Sequence, residues 1–440
     1  MKSYIASHVF DCWQGLALAR CLGNPDNDVR VADAPEGKVM QTSAKPRLEE
    51  LDVLRGMAVA GMILVVSPGD WSKAYSQLQH AAWNGATLAD MVFPAFLFSV
   101  GVALGLSFPR ATRDEASRRL FWTRLIRRAA ILIALGLIVE ASYNWAISAG
   151  APYPGEGGLS HVRLPGILQR IGLCYLLGGT LLMITGKAGE DGRTEIWPGA
   201  IAGCIAAILV GYWFLLRFVP VPGFGAGELT SQGSLPGFID RTVFTVPHLW
   251  PLGSATGTGP ATYDPEGLLA SLPATANLLF GALAAWAWRR FPGRAIAAIG
   301  VSGIILIALG LALDPVFAIN KRLWTSSFAL FSGGVSAVAL ALLGIALREK
   351  AAGRVLTPFR VLGANAILAF LLSTLMSRLA GFELIPEHGQ WVSPQRWGND
   401  LALALVGDPY LASLACALAV LGIVTMVIWP LHRRAIHFRI

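Results

Sequence analysis

Ten long apolar runs, near residues 51–67, 88–108, 125–147, 165–185, 196–219, 268–288, 295–313, 323–347, 359–380 and 409–430, succeed one another along this chain. Each is long enough to cross a hydrocarbon core of about 30 Å. Within lipid no water reaches the backbone, so such runs must satisfy their own N–H and C=O groups, which a helix does within one segment. The expected fold is all-α: a polytopic membrane protein of about ten transmembrane helices. Composition agrees, because 14% charged residues against 54% hydrophobic ones leave roughly half the charge of an ordinary soluble domain.

A net charge of +8 would suggest a nucleic-acid partner in a soluble protein, but in a membrane chain Lys and Arg first report topology. With the N-terminus placed inside, the loops assigned to that side carry roughly twice the Lys and Arg of the opposite loops, which predicts both termini in the cytoplasm. Residues 1–46 are then a cytoplasmic N-terminal extension, polar and poorly ordered, and 47–440 form the membrane domain. Asp11 and Gln14 interrupt the apolar start, so no cleaved signal peptide is expected. The five cysteines lack CxxC or ligand spacing, and neither a disulfide framework nor a metal site is expected.

One polar block stands out, Gln79-His80-Ala81-Ala82-Trp83-Asn84-Gly85-Ala86-Thr87-Leu88-Ala89-Asp90-Met91-Val92-Phe93-Pro94. It places an imidazole, an indole, a carboxamide and a carboxylate at the mouth of the second apolar run, where polar groups are costly unless used. The topology puts other unusual motifs on the same outer side: Asn144, the run from His161 to Arg170, Tyr263-Asp264-Pro265-Glu266-Gly267, and Asn320-Lys321-Arg322-Leu323-Trp324.

These blocks, with Arg47 to Gly56 ahead of them, resemble in order the heparan-alpha-glucosaminide N-acetyltransferase family, over roughly residues 47–440. The resemblance implies a multi-span enzyme that moves an acetyl group from cytosolic acetyl-CoA to an amino sugar across the membrane. It also implies that His80 is catalytic. No large lumenal domain precedes the blocks, so the acceptor expected is a smaller amino sugar or envelope glycan, handled in a bacterial inner membrane. Membrane lipids and the glycan acceptor are the partners expected, with a homodimer as an open option and no nucleic acid.

The chemistry assigns roles beside that resemblance. An amine attacking a thioester must lose a proton, and an imidazole is suited to take it; alternatively His80 attacks the thioester itself. Asn84, if its segment is helical, shares a face with His80 and either orients the ring or meets the thioester oxygen. Asp90 is either part of the site or the acidic member of a Thr87-x-x-Asp90 capping box. Trp83 is a sugar platform or an interfacial anchor. Arg163, Gln169 and Arg170 clamp an acidic acceptor or a CoA phosphate, or pair with Asp240, Asp264 or Glu266. Asp264 and Glu266 bind the sugar, or favour a helix N-terminus. Asn320 and Lys321 join the acceptor site, or Lys321 pairs with a carboxylate. At the inner end, Arg55, Arg124, Arg127 and Arg128 hold CoA phosphates or report topology alone. The competing functions are an amino-sugar or glycan transporter and an O-acyltransferase acting on envelope polysaccharide.

Overall fold

The computed structural model describes residues 48–108, 115–149, 156–189, 194–254, 259–387 and 389–438. The expected extension over 1–46 lies outside them. Helices occupy all ten apolar runs: α1 (Glu49–Val66), α2 (Leu88–Ser107), α3 (Glu115–Ser148), α4 (Ile167–Ile184), α5 (Pro198–Phe218), α6 (Leu235–Val243), α7 (Ser271–Arg290), α8 (Ala295–Leu313), α9 (Ser326–Ala346), α10 (Lys350–Val355), α11 (Thr357–Ala364), α12 (Ala366–Leu379), α13 (Pro394–Val406) and α14 (Pro409–Arg433), with α6, α10 and α13 as short additions between runs. Two small antiparallel hairpins complete the secondary structure, β1 (Lys187–Ala188) with β2 (Thr194–Glu195), and β3 (Ile385–Glu387) with β4 (Gln390–Val392).

Among the described residues, six helices (α2, α4, α5, α8, α9 and α14) are long and apolar enough to cross a membrane. The run 359–380 is not one straight helix, since α11 and α12 meet at 90°. The break falls at Asn365, whose side chain is drawn onto the C-terminal tail: its Nδ2 donates to the Ile436 carbonyl at 3.2 Å and its Oδ1 accepts from the Phe438 N–H at 2.9 Å. The remaining runs are helical but more polar. Helix α1 opens on Glu49, Glu50 and Asp52, α3 carries Arg127, Arg128 and Glu140, and α7 is rich in alanine.

Small residues let the helices approach closely, as is usual in membranes, where packing rather than the hydrophobic effect drives association. Helix α2 lies on α7 through glycines of both: a Cβ on Gly101 would stand 1.8 Å from the Leu278 carbonyl oxygen, and one on Gly281 would stand 2.0 Å from that of Phe98. Backbone cannot retreat as a flexible side chain can. Gly101→Val is therefore expected to destabilise the fold by about 1–3 kcal/mol or more, read as a lowered thermal midpoint in detergent; an unchanged midpoint contradicts the close contact. The α2–α7 pair bears on function too, because it fixes the helix whose first turn carries Asp90.

Candidate active site

At one end of the bundle four separate stretches converge: the loop between α1 and α2, the loop before α4, residues 263–267 and residues 319–325. The first of these is irregular. Residues 79–87 make bends and an isolated bridge, not a helix, so the shared helical face expected for His80 and Asn84 does not exist. Two features prevent it. Gly85 takes φ +94°, a conformation that glycine adopts without steric cost, and its N–H donates to the Ile319 carbonyl at 2.7 Å. The Asp90 carboxylate also gathers the loop around itself. Its Oδ2 accepts from the Thr87 N–H at 3.0 Å, which closes a capping box at the start of α2, and from the Ala81 N–H at 3.1 Å.

The other oxygen of Asp90 lies 2.8 Å from Nδ1 of His80. A carboxylate on Nδ1 favours the proton on that nitrogen and leaves the ring lone pair on Nε2. Asp90 is thus both helix cap and histidine partner, and it stands behind the ring rather than facing a ligand. Lys321 is the third member. Its Nζ lies 3.1 Å from Nδ1 and 3.2 Å from Nε2 of His80, and 3.7 Å from Oδ1 of Asp90. Burial lowers the His80 pKa below the ordinary 6.5, and the Lys321 charge adds to that, while the Asp90 hydrogen bond opposes it. The Lys321 ammonium is likewise lowered by burial, against the pull of Glu266 and Asp90. His80 nevertheless keeps 39% of its side-chain surface accessible, because it opens onto a cavity of about 800 Å³ that also touches Trp71, Glu140, Arg163, Gln169 and Arg378.

Beside this triad lies a buried ion-pair network. Arg163 donates from Nε to Oδ2 of Asp264 at 2.8 Å and from Nη2 to Oδ1 of Asp264 at 2.5 Å; the same Nη2 reaches Oε2 of Glu266 at 2.5 Å. This is the bidentate geometry that a guanidinium fork favours. Burial would favour the neutral acid at Glu266, but Arg163, with Arg170 and Lys321 behind it, holds that carboxyl well below the usual range. Arg170 is buried, donates from Nη2 to the Gly267 carbonyl at 3.3 Å, and stacks 5.1 Å over Trp324. Asp240, on α6, is fully enclosed, and burial pushes its carboxyl up to about 7.

The remaining expected residues divide by placement. Asn84 accepts on Oδ1 from Nδ2 of Asn320 at 3.1 Å, is exposed, and is not among the residues that line the cavity. Trp83 donates to the Leu229 carbonyl at 2.9 Å and meets Tyr263 edge to face at 5.1 Å, so it is tied into the loop cluster. Gln169 lines the cavity, with Nε2 bonded to the Leu164 carbonyl at 3.2 Å. Asn144 is buried and holds the end of α3 to the next loop through the Glu156 and His161 carbonyls, at 3.0 and 2.8 Å. The arginines expected at the inner end are not brought to the cavity. Arg55 lies by Asp52 at 3.7 Å, Arg128 packs over Tyr175 at 5.2 Å, and Arg124 and Arg127 are exposed. Two of the residues here that carry no role in the sequence analysis bear on the site. One is Glu140, hidden in an apolar helical run, for which a carboxylate inside a membrane-length helix is the available signal. The other is Trp324, which adopts φ +51° and packs under the Arg170 guanidinium.

Comparison with known proteins gives a consistent picture. Residues 47–189 match the family model described as heparan-alpha-glucosaminide N-acetyltransferase, catalytic. The chain is 27% identical over 387 residues to the heparan-alpha-glucosaminide N-acetyltransferase of Homo sapiens, covering 80% of this chain and 56% of that protein. The Mus musculus protein of the same name matches over the same length and shares. The chain thus spans little more than half the length of these relatives.

Proposed function

From the family-model match over residues 47–189 and the relatives 27% identical over 387 residues, we propose that this chain is a member of the heparan-alpha-glucosaminide N-acetyltransferase family and a transmembrane acetyltransferase, moving the acetyl group of acetyl-CoA to the amine of a glucosamine-type sugar on the far side of a bacterial inner membrane. The observation that carries this reading is the His80–Asp90 pair opening onto a ligand-sized cavity. Cavities of this volume are typical of small-molecule sites.

In this reading Asp90 fixes the His80 tautomer and supports the imidazolium that forms when Nε2 takes a proton or an acetyl group. Lys321, whose Nζ lies 3.2 Å from Nε2 of His80, supplies the donor for the thioester oxygen as it gains charge, and Asn84 ties the His80 loop to Asn320. Arg163, Asp264 and Glu266 lock the loops that carry these groups. The inner arginines Arg55, Arg124, Arg127 and Arg128 serve topology, with CoA phosphate contacts as their alternative use. With ten spans and both ends inside, the His80 loop lies on the outer face, a reading supported by the loop charges.

The test is direct. Purified protein given acetyl-labelled acetyl-CoA and glucosamine is expected to yield labelled N-acetylglucosamine; sugar uptake into proteoliposomes without acetylation overturns the reading. The acid limb of the rate profile is a second measurement. His80 must be neutral to accept a proton, and its pKa lies below 6.5, so the rate is expected to stay level from pH 7 downward and fall only below that value. Asp90→Asn removes the partner that favours the imidazolium. Its acid limb is expected to move further down in pH, with a lower plateau, and an upward shift contradicts the assignment.

A further inference from the structure

Beyond the residues that attack and polarise, and resting on the acetyltransferase reading, we propose that Glu140 is the anion that receives the ammonium of the amino-sugar acceptor. Of the residues lining the 800 Å³ cavity, Glu140 is the one carboxylate among those described. It shares that cavity with His80, so a sugar held by it remains within the space onto which the imidazole opens.

The carboxylates nearest the imidazole and the Arg163 fork are already engaged. Asp90 is taken by His80, Ala81 and Thr87, and Asp264 and Glu266 are taken by Arg163. Glu140 differs. Its nearest cation contact is Arg163 Nη1 at 4.0 Å, beyond hydrogen-bond range, and no described donor bonds its oxygens. The second cation on this wall, Arg378, is held against the same helix by the Val139 carbonyl and the Ser142 hydroxyl, which flank Glu140 without bonding it. A carboxyl group in a membrane-length helix, with its cations at a distance and without hydrogen bonds, is costly. A protonated amine provides what is missing: a donor of opposite charge that forms short, charge-assisted bonds. A neutral sugar of the same shape does not.

The experiment measures binding rather than turnover, with glucosamine and glucose as probes of the purified full chain. Wild-type protein is expected to bind glucosamine roughly tenfold or more tighter than glucose, and Glu140→Gln to erase the difference while glucose affinity stays unchanged. If Glu140→Gln loses both sugars, Glu140→Asp decides: a retained preference for glucosamine supports the proposal and a lost one overturns it. A Glu140→Gln variant that keeps the preference overturns it, as does wild-type protein that binds both sugars equally. The two readings fail separately. Glucosamine acetylation without any Glu140-dependent preference leaves the function standing and removes this assignment; a Glu140-dependent preference without acetylation does the reverse.

Discussion

His80→Ala is expected to lower the rate of acetyl transfer by about 10²–10⁴-fold, with the fold intact. The expectation rests on position. His80 is the cavity-facing member of a triad whose other two members are enclosed: Asp90, 1% exposed, and Lys321, 12% exposed. Asp90 holds Nδ1, so any proton or acetyl group must pass through Nε2. Removing the ring removes the acceptor for either route and leaves the neighbouring groups with nothing to orient. Loss of the imidazole leaves the capping box at Thr87 and Asp90 in place, so the fold should persist with a loss of about 1–3 kcal/mol for the Asp90 oxygen left without its partner. Full activity in this variant sinks the catalytic assignment. A companion measurement separates the two chemical routes. Wild-type protein incubated with labelled acetyl-CoA and no sugar, then rapidly quenched, carries labelled acetyl on Nε2 of His80 with release of an equivalent of CoA if the imidazole is the nucleophile, and none if it acts as a base.

Arg163→Ala should be the most destabilising single change at this end of the bundle. Arg163 is 11% exposed, Asp264 is 0% and Glu266 is 9%. Its guanidinium alone neutralises both by direct hydrogen bonds, and deleting it strands two buried carboxylates. Breaking a buried pair from one side costs about 3–5 kcal/mol. Arg163→Lys keeps the charge but loses the fork that spans Asp264 in two places, so an intermediate loss is expected. The diagnostic variant combines Arg163→Ala with Asp264→Asn and Glu266→Gln. Removing the stranded charges should restore part of the lost thermal midpoint, and non-additivity of this kind is the mark of a coupled network. If the combined variant is less stable than Arg163→Ala alone, the carboxylates are not the cause.

The broad class of this protein was legible in the amino-acid chain because lipid imposes a rule that acts locally: an apolar run must satisfy its own backbone, and every such run is helical here. The Thr87-x-x-Asp90 cap was legible for the same reason, being a contact within one turn. Local pattern also marked the polar blocks that meet at the candidate site. It did not say how they meet. The choice between catalytic partner and helix cap at Asp90 has no answer in sequence, since the two oxygens of one carboxylate serve both, on groups ten and three residues away. Lys321 reaches His80 across 241 positions and Arg163 reaches Asp264 across 101. Such pairings depend on which helices pack together, and that is set by glycine contacts such as Gly101 on α7, not by any pattern within one segment. Tertiary structure likewise bent the run 359–380 at Asn365, turned the His80 segment irregular through Gly85, and opened the cavity that Glu140 lines. Sequence determined what each segment could be in lipid; packing decided which polar groups would be neighbours, because charge and hydrogen bonding act between side chains through space.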